Sequence, residues 1–294
     1  MFVNKKKTIF SIFTLTLFSI VFLISSFYDL KIAKSIDTSL KDNLFFNFLD
    51  GFAVFLFLIP LFWVGLIYLS KWLIIKNTLI KSITFIGFYV IFIVFSFLLL
   101  YFISKNKEGV SFLGYQFATF IFLTLILLVI TIICTKNILL QRSEEIDNLV
   151  KMANTTLIFM IMIWLICTGM KYIFGRNRPE NVLGLNANFQ FPFQINFKRT
   201  SNSTSFPSGH TTSACQLLFL GYFCNIKKTN KGLILKSTIL TLVGILVITM
   251  GISRLALQRH FLTDILLSMF ISGLSYYFAP IILEKLSRRI KKNG

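Results

Sequence analysis

The sequence predicts an all-α fold, a polytopic membrane bundle of about eight transmembrane helices in a single domain over residues 1–294. Three observations predict it. Hydrophobic residues make up 55% of the chain, 35 of them Phe, and only 14% of residues are charged, where a soluble domain carries about 25%. Eight apolar runs recur, roughly 8–28, 51–70, 82–104, 112–135, 153–174, 209–226, 237–254 and 261–283, each near the length that crosses about 30 Å of hydrocarbon as a helix. The formal net charge of +19 fits the Lys/Arg excess of cytoplasmic loops. No basic domain stands outside the runs to hold nucleic acid, so nucleic acid is not an expected partner.

The first run follows Lys5-Lys6-Lys7. It is too long for a signal-peptide core and no A-x-A site follows, so it reads as an uncleaved first helix. Residues 29–50 are too charged to span. Ile32, Ile36 and Leu40 recur at helical spacing there, which fits a short helix on the outer interface or an ordinary polar loop. The loop 180–206, rich in Asn, Phe, Ser and Thr, is long enough to be functional and is placed to cover a substrate. Cys134, Cys167, Cys215 and Cys224 lie in or beside apolar runs with no CxxC or zinc spacing, and read as small packing residues. With an internal N-terminus, 18 of the 30 Lys and Arg fall on the inner side, and both termini are cytoplasmic. Seven acids (Asp29, Asp37, Asp42, Asp50, Glu108, Glu180 and Asp264) fall outside.

Three polar clusters sit at ends of apolar runs on that outer side. Lys171 to Pro179 closes the fifth run. Phe206 to Ala214 opens the sixth, and Ser253 to Asp264 joins the last two. They contain both histidines of the chain, His210 and His260. Ionisable groups at membrane depth are costly and point to a site. Pro207 suits a first helical turn, Gly209 lets a ligand approach the backbone, and free N–H groups at a helix start attract an anion. Arg178 precedes Pro179, which pushes it out of helical geometry, so the helix bearing Lys171 should end there. Arg grips phosphate oxygens bidentately and Lys acts as a point charge. His260 and Asp264 are four apart. If helical they share a face, so that Asp264 accepts from Nδ1–H and Nε2 is free to attack, with His210 as general acid. Taken singly, Lys171, Arg176 and Arg178 read as a charged anchor at a helix end, and Arg176 and Arg259 as anchors or headgroup contacts.

Together the clusters resemble the three-part signature of the type 2 phosphatidic acid phosphatase superfamily, which includes vanadium haloperoxidases and bacterial acid phosphatases. The pattern K-x6-RP, PSGH and SR-x5-H-x3-D is filled by Lys171 to Pro179, Pro207 to His210 and Ser253 to Asp264. The resemblance implies that His260 attacks phosphorus, that Asp264 orients it, and that His210 protonates the leaving group and later activates water. It implies that Lys171, Arg178, Ser208, Gly209 and Arg254 bind the phosphate oxygens, with no metal and no cofactor. It also implies a six-helix core, which makes 82–135 an inserted helical hairpin, or else one of the eight runs re-entrant, and 153–283 the segment that carries the motifs.

The expected function is an integral membrane phosphatase acting on a phosphorylated lipid at the outer leaflet. Undecaprenyl diphosphate, phosphatidylglycerol phosphate, phosphatidic acid and lipid A are the candidate classes. The alternatives are phosphotransfer from the same phosphohistidine, and a non-catalytic lipid carrier. The partners are then the lipid and the bilayer, with no obligate protein partner inferred. The Lys-, Asn-, Ile- and Phe-rich composition points to a bacterial inner membrane with the site facing the periplasm.

Overall fold

The computed structural model describes residues 5–72, 83–84, 86–94, 121, 124–125, 143–185, 187–197, 203–224 and 230–293. Among them the regular structure is helical. In chain order the helices are α1 (Lys5–Ser35), α2 (Leu44–Leu56), α3 (Leu58–Trp72), α4 (Ser143–Phe174), α5 (Pro179–Gly184), α6 (Gly209–Cys215), α7 (Leu220–Phe223), α8 (Asn230–Ala256) and α9 (Leu262–Asn293). Short 3-10 turns cover Thr38–Asp42 and Gln216–Phe219.

Among the described residues, five stretches are long and apolar enough to cross a membrane: Leu15–Ser35, Leu44–Lys71, Ile146–Gly184, Gly232–Ala256 and Leu262–Ile290. They overlap the expected runs 8–28, 51–70, 153–174, 237–254 and 261–283. The chain is an integral membrane protein of the all-α bundle class. The run 209–226 is helical in pieces, α6, a 3-10 turn and α7. Of run 82–104 about half is described, residues 83–84 and 86–94, all helical; the rest of it and nearly all of run 112–135 lie outside the described residues, and the expected hairpin 82–135 with them.

Residues 29–50 differ from both expectations. They form neither one interfacial helix nor one loop throughout: a mostly exposed connection with the 3-10 turn covers only 36–43. α1 continues to Ser35, and α2 starts at Leu44, capped by the Asn43 side chain, which accepts from the N–H groups of Phe45 and Phe46. The charge that argued against spanning includes Asp29, which is 1% exposed and ion-paired to Arg176. Pairing removes much of the cost of burial. Between α2 and α3 the helix breaks at Phe57. Pro60 follows three residues later, and its missing N–H cannot bond the Leu56 carbonyl.

The core joins α2 and α3 to α4, α6 and α8. Phe55, Leu56, Leu58, Phe62, Leu66 and Phe159 are essentially inaccessible. α9 packs on α4, α1 and α6. At Gly251 of α8, an added Cβ would lie 2.8 Å from Ile265 Cγ2 of α9, so a small residue is needed where these helices cross. Outward faces stay apolar, with Trp164, Leu165, Ile245 and Ile248 exposed, as lipid-facing helices require. The C-terminal ends of α1, α4 and α8 thereby meet the N-terminal ends of α2, α6 and α9, and all three motifs lie at that one end of the bundle.

Candidate active site

His260 lies in the turn between α8 and α9, not on a helix as the four-residue spacing to Asp264 implied. The turn is tight: Gln258 has φ 52°, a region that non-glycine residues occupy at a cost and mostly where surrounding contacts enforce it. Here its carbonyl accepts from Glu180 N–H at 3.0 Å, and its Nε2 donates to the Ala33 carbonyl at 3.3 Å. His260 is buried, 4% exposed. Its Nδ1 stands 2.7 Å from the Ser205 carbonyl oxygen and 3.5 Å from Asp264 Oδ2. A carbonyl oxygen can only accept, so the proton of the neutral ring sits on Nδ1 and Nε2 keeps its lone pair. The tautomer expected from Asp264 thus has a nearer author in the backbone of Ser205, a partner invisible to sequence spacing.

Asp264 is held by more than the imidazole. Arg176 Nη1 donates to its Oδ1 at 2.6 Å. Its Oδ2 accepts from the Ser205 hydroxyl and from Phe261 N–H at 2.8 Å. The last bond is the reach-back half of a capping box, the third helical residue closing on the N-cap N–H. The next orphan donor of α9, Thr263 N–H, goes to Asp29 Oδ1 of α1 at 3.1 Å. Burial pushes the His260 imidazole down to about 4, with Asp264 opposing the shift and Lys171 and Arg178 adding to it. The ring is therefore neutral at ordinary pH, as a nucleophile must be, and both motif cations lie near enough to act on it.

Arg176 is neither a membrane anchor nor a headgroup contact. It is 1% exposed and bridges Asp29 (2.9 Å) and Asp264 (2.6 Å). Its Nε donates to the Gln190 carbonyl at 2.9 Å, and its guanidinium lies 4.2 Å from the Phe261 ring centroid. The loop after α5 therefore closes over Arg176. Asn196 N–H bonds the Ile173 carbonyl at 3.0 Å, and the Phe189 ring packs edge-on against Phe261.

α4 ends earlier than Pro179 alone predicted. Gly175, at φ 45°, closes it, while Arg178 takes extended geometry (φ −77°, ψ 152°) as the N-cap residue of α5. Arg178 Nη1 is 3.5 Å from Glu180, and its buried Nε has no partner among the described residues. Glu180 itself takes both of its oxygens to Arg259 at 2.7 Å, so Arg259 is part of this network. Lys171, in the last turn of α4, brings its Nζ to within 3.3 Å of where a Cβ on Gly209 would stand. A side chain at 209 would push that ammonium aside by a few tenths of an ångström.

The helix of the PSGH turn starts two residues later than a proline at its first position would have it. Pro207 follows a cis bond and precedes the N-cap, Ser208, and the helix opens at Gly209. Ser208 is fully buried. Its Oγ accepts from the Thr211 hydroxyl at 3.0 Å, and its N–H bonds the Asp264 carbonyl at 3.2 Å. Those bonds lock the second motif to the third. Arg254 is fully buried at the end of α8. Its Nη1 pairs with Asp50 of α2, while Nη2 has no partner among the described residues. His210 Nε2 is 2.9 Å from the same Asp50 oxygen.

The structure therefore gathers His260, Asp264, Lys171, Arg178, Gly209, His210 and Arg254, with Ser208 as the pin beneath them. Sequence reasoning passed over Asp29, Asp50, Ser205 and the pairing of Arg176. For the two acids a signal existed: each is a lone carboxylate at the end of an apolar run, on the side of the motifs. A family model, the PAP2 superfamily, matches residues 153–288, the stretch holding all three motifs. No curated protein and no solved structure matches the chain.

Proposed function

With residues 153–288 belonging to the PAP2 superfamily, we propose that this membrane phosphatase removes a phosphate from a phosphorylated lipid through a phosphohistidine on His260. The observation that carries the reading is the state of His260: buried, neutral, with Nδ1 2.7 Å from a carbonyl oxygen. Its Nε2 lone pair attacks phosphorus while the P–O bond to the leaving oxygen breaks. His210 supplies the proton to that oxygen. Water, deprotonated by His210, then attacks phosphorus, and the P–N electron pair returns to His260.

The phosphate oxygens go to Lys171, Arg178 and Arg254 and to the backbone N–H of Gly209. The unpartnered guanidinium nitrogens of Arg178 and Arg254 supply donors for charge that grows in the transition state. Metal is not required in this scheme. Asp264 and Asp50, the carboxylates nearest the histidines, are each engaged by a guanidinium, and cations stand where Mg²⁺ serves in other phosphoryl transfers. The lipid class is undecaprenyl diphosphate, phosphatidylglycerol phosphate, phosphatidic acid or lipid A, met at the outer leaflet with both termini of the chain in the cytoplasm.

The test is phosphate release by purified protein over a panel of these four lipids. Release from at least one, abolished by His260→Ala, supports the reading. Release from none, with tight binding of one lipid, would favour a carrier.

A further inference from the structure

We infer that Asp50 is a positioning residue for the general acid, forming with His210 a second carboxylate–imidazole pair opposite the Asp264–His260 pair. The inference rests on the phosphohistidine reading above and deepens it.

Asp50 stands on α2, outside all three motifs and outside the stretch matched by the family model. Its neighbours Phe48, Leu49, Phe52 and Ala53 are apolar, and a carboxylate in such a run is costly without a partner. One of its oxygens meets two partners: His210 Nε2 at 2.9 Å and Arg254 Nη1. A carboxylate oxygen only accepts, so Nε2 carries a hydrogen and donates it to Asp50. The proton that His210 gives to substrate is then the one on Nδ1. This is the mirror of His260, where Nδ1 is tied and Nε2 reacts. A carboxylate there also favours the imidazolium that a general acid must be before it acts.

The balance of the step is simple. As the P–O bond breaks, its electron pair moves to the leaving oxygen, which takes the Nδ1 proton. His210 is left neutral with its remaining hydrogen on Nε2, still bonded to Asp50. It can then take a proton from water in the second half. Arg254 shares the same carboxylate oxygen, so the acid and one arm of the phosphate clamp are held by a single group.

The rival is that Asp50 only neutralises the buried Arg254. Leaving-group dependence separates them. Aryl phosphates hardly need the acid, whereas alkyl phosphates do. Wild type, Asp50→Asn, Asp50→Glu, His210→Ala and the Asp50→Asn/His210→Ala double variant are compared on p-nitrophenyl phosphate and on dioctanoyl phosphatidic acid. For Asp50→Asn we expect kcat/KM, which reports the phosphorylation step, to fall at least tenfold further on the alkyl substrate than on the aryl one, within the 10²–10⁴-fold that general acid catalysis supplies. In the double variant the alkyl loss should match His210→Ala alone, since two residues acting as one unit do not add.

Equal losses of kcat/KM on both substrates, or factors that multiply in the double variant, would overturn the inference. A retained burst of p-nitrophenolate in Asp50→Asn shows that the variant folds. If it does not fold, Asp50→Glu, which keeps the charge and shifts its reach, carries the same comparison. Wild type releasing phosphate from neither substrate nor from any lipid of the panel above would defeat the phosphatase reading first, and this inference with it.

Discussion

Arg176 Nη1 lies 2.6 Å from Asp264 Oδ1, and both side chains are buried. The same guanidinium reaches Asp29 through Nη2 and Gln190 through Nε. One residue outside the family pattern thus fixes the carboxylate behind the nucleophile, the end of α1 and the loop after α5.

Removing Arg176 should therefore harm both fold and rate. Arg176→Met leaves two buried carboxylates without their cation, a loss of about 3–5 kcal/mol. Arg176→Lys should do little better, because a point charge cannot serve three directions at once. Asp29→Asn should be milder, since the amide oxygen still accepts from Thr263 N–H. Thermal unfolding in detergent, followed with phosphate release, checks the order. Arg176→Lys at near wild-type activity contradicts it.

His260 should stay neutral far into acid. Its value of about 4 in the folded protein lies below the ordinary 6.5. A ring that resists its proton when folded accepts it when unfolded. The stability it contributes is full above pH 6.5 and falls as pH drops towards 4, by about 3 kcal/mol in all. With only two histidines in the chain, ¹⁵N NMR of the labelled rings can follow each, a His210→Gln variant assigning the pair. The expected spectrum shows His260 as the Nδ1–H tautomer at pH 6. An Nε2–H tautomer, or titration near 6.5, counts against the geometry.

Sidedness is open to chemical labelling. Phe193, in the loop after α5, is 56% exposed. Phe193→Cys, in a background with the four native cysteines replaced, should react with an impermeant maleimide in intact spheroplasts. Reaction only after permeabilisation would place the site on the cytoplasmic face.

Activity should survive EDTA, and vanadate, which adopts the five-coordinate geometry of the phosphoryl transition state, should inhibit. Loss in EDTA with recovery on Mg²⁺ would show that a metal does the work assigned here to Lys171, Arg178 and Arg254.

Much of this was legible from residues alone, for a physical reason. Apolar length predicts a span because lipid imposes it, and five described helices follow the runs. The motif residues met because all stood at run ends on one side. What spacing did not show was contact between distant segments. Asp29 is 147 residues from Arg176 and Asp50 is 204 from Arg254, so nothing local marks either pair. The Ser205 carbonyl that sets the His260 tautomer is backbone, and its residue type says nothing about it. The charge of 29–50 argued for a surface segment because charge was weighed without its partner.

The most direct test of the central claim is acid-labile, base-stable ³²P on the protein after a rapid quench with a labelled substrate. The account predicts label on His260 in wild type and none in His260→Ala. In His210→Ala, label from p-nitrophenyl [³²P]phosphate should form and persist, because the leaving phenolate needs no acid while hydrolysis lacks its base. Label retained in His260→Ala, or mapped to His210, would contradict the account.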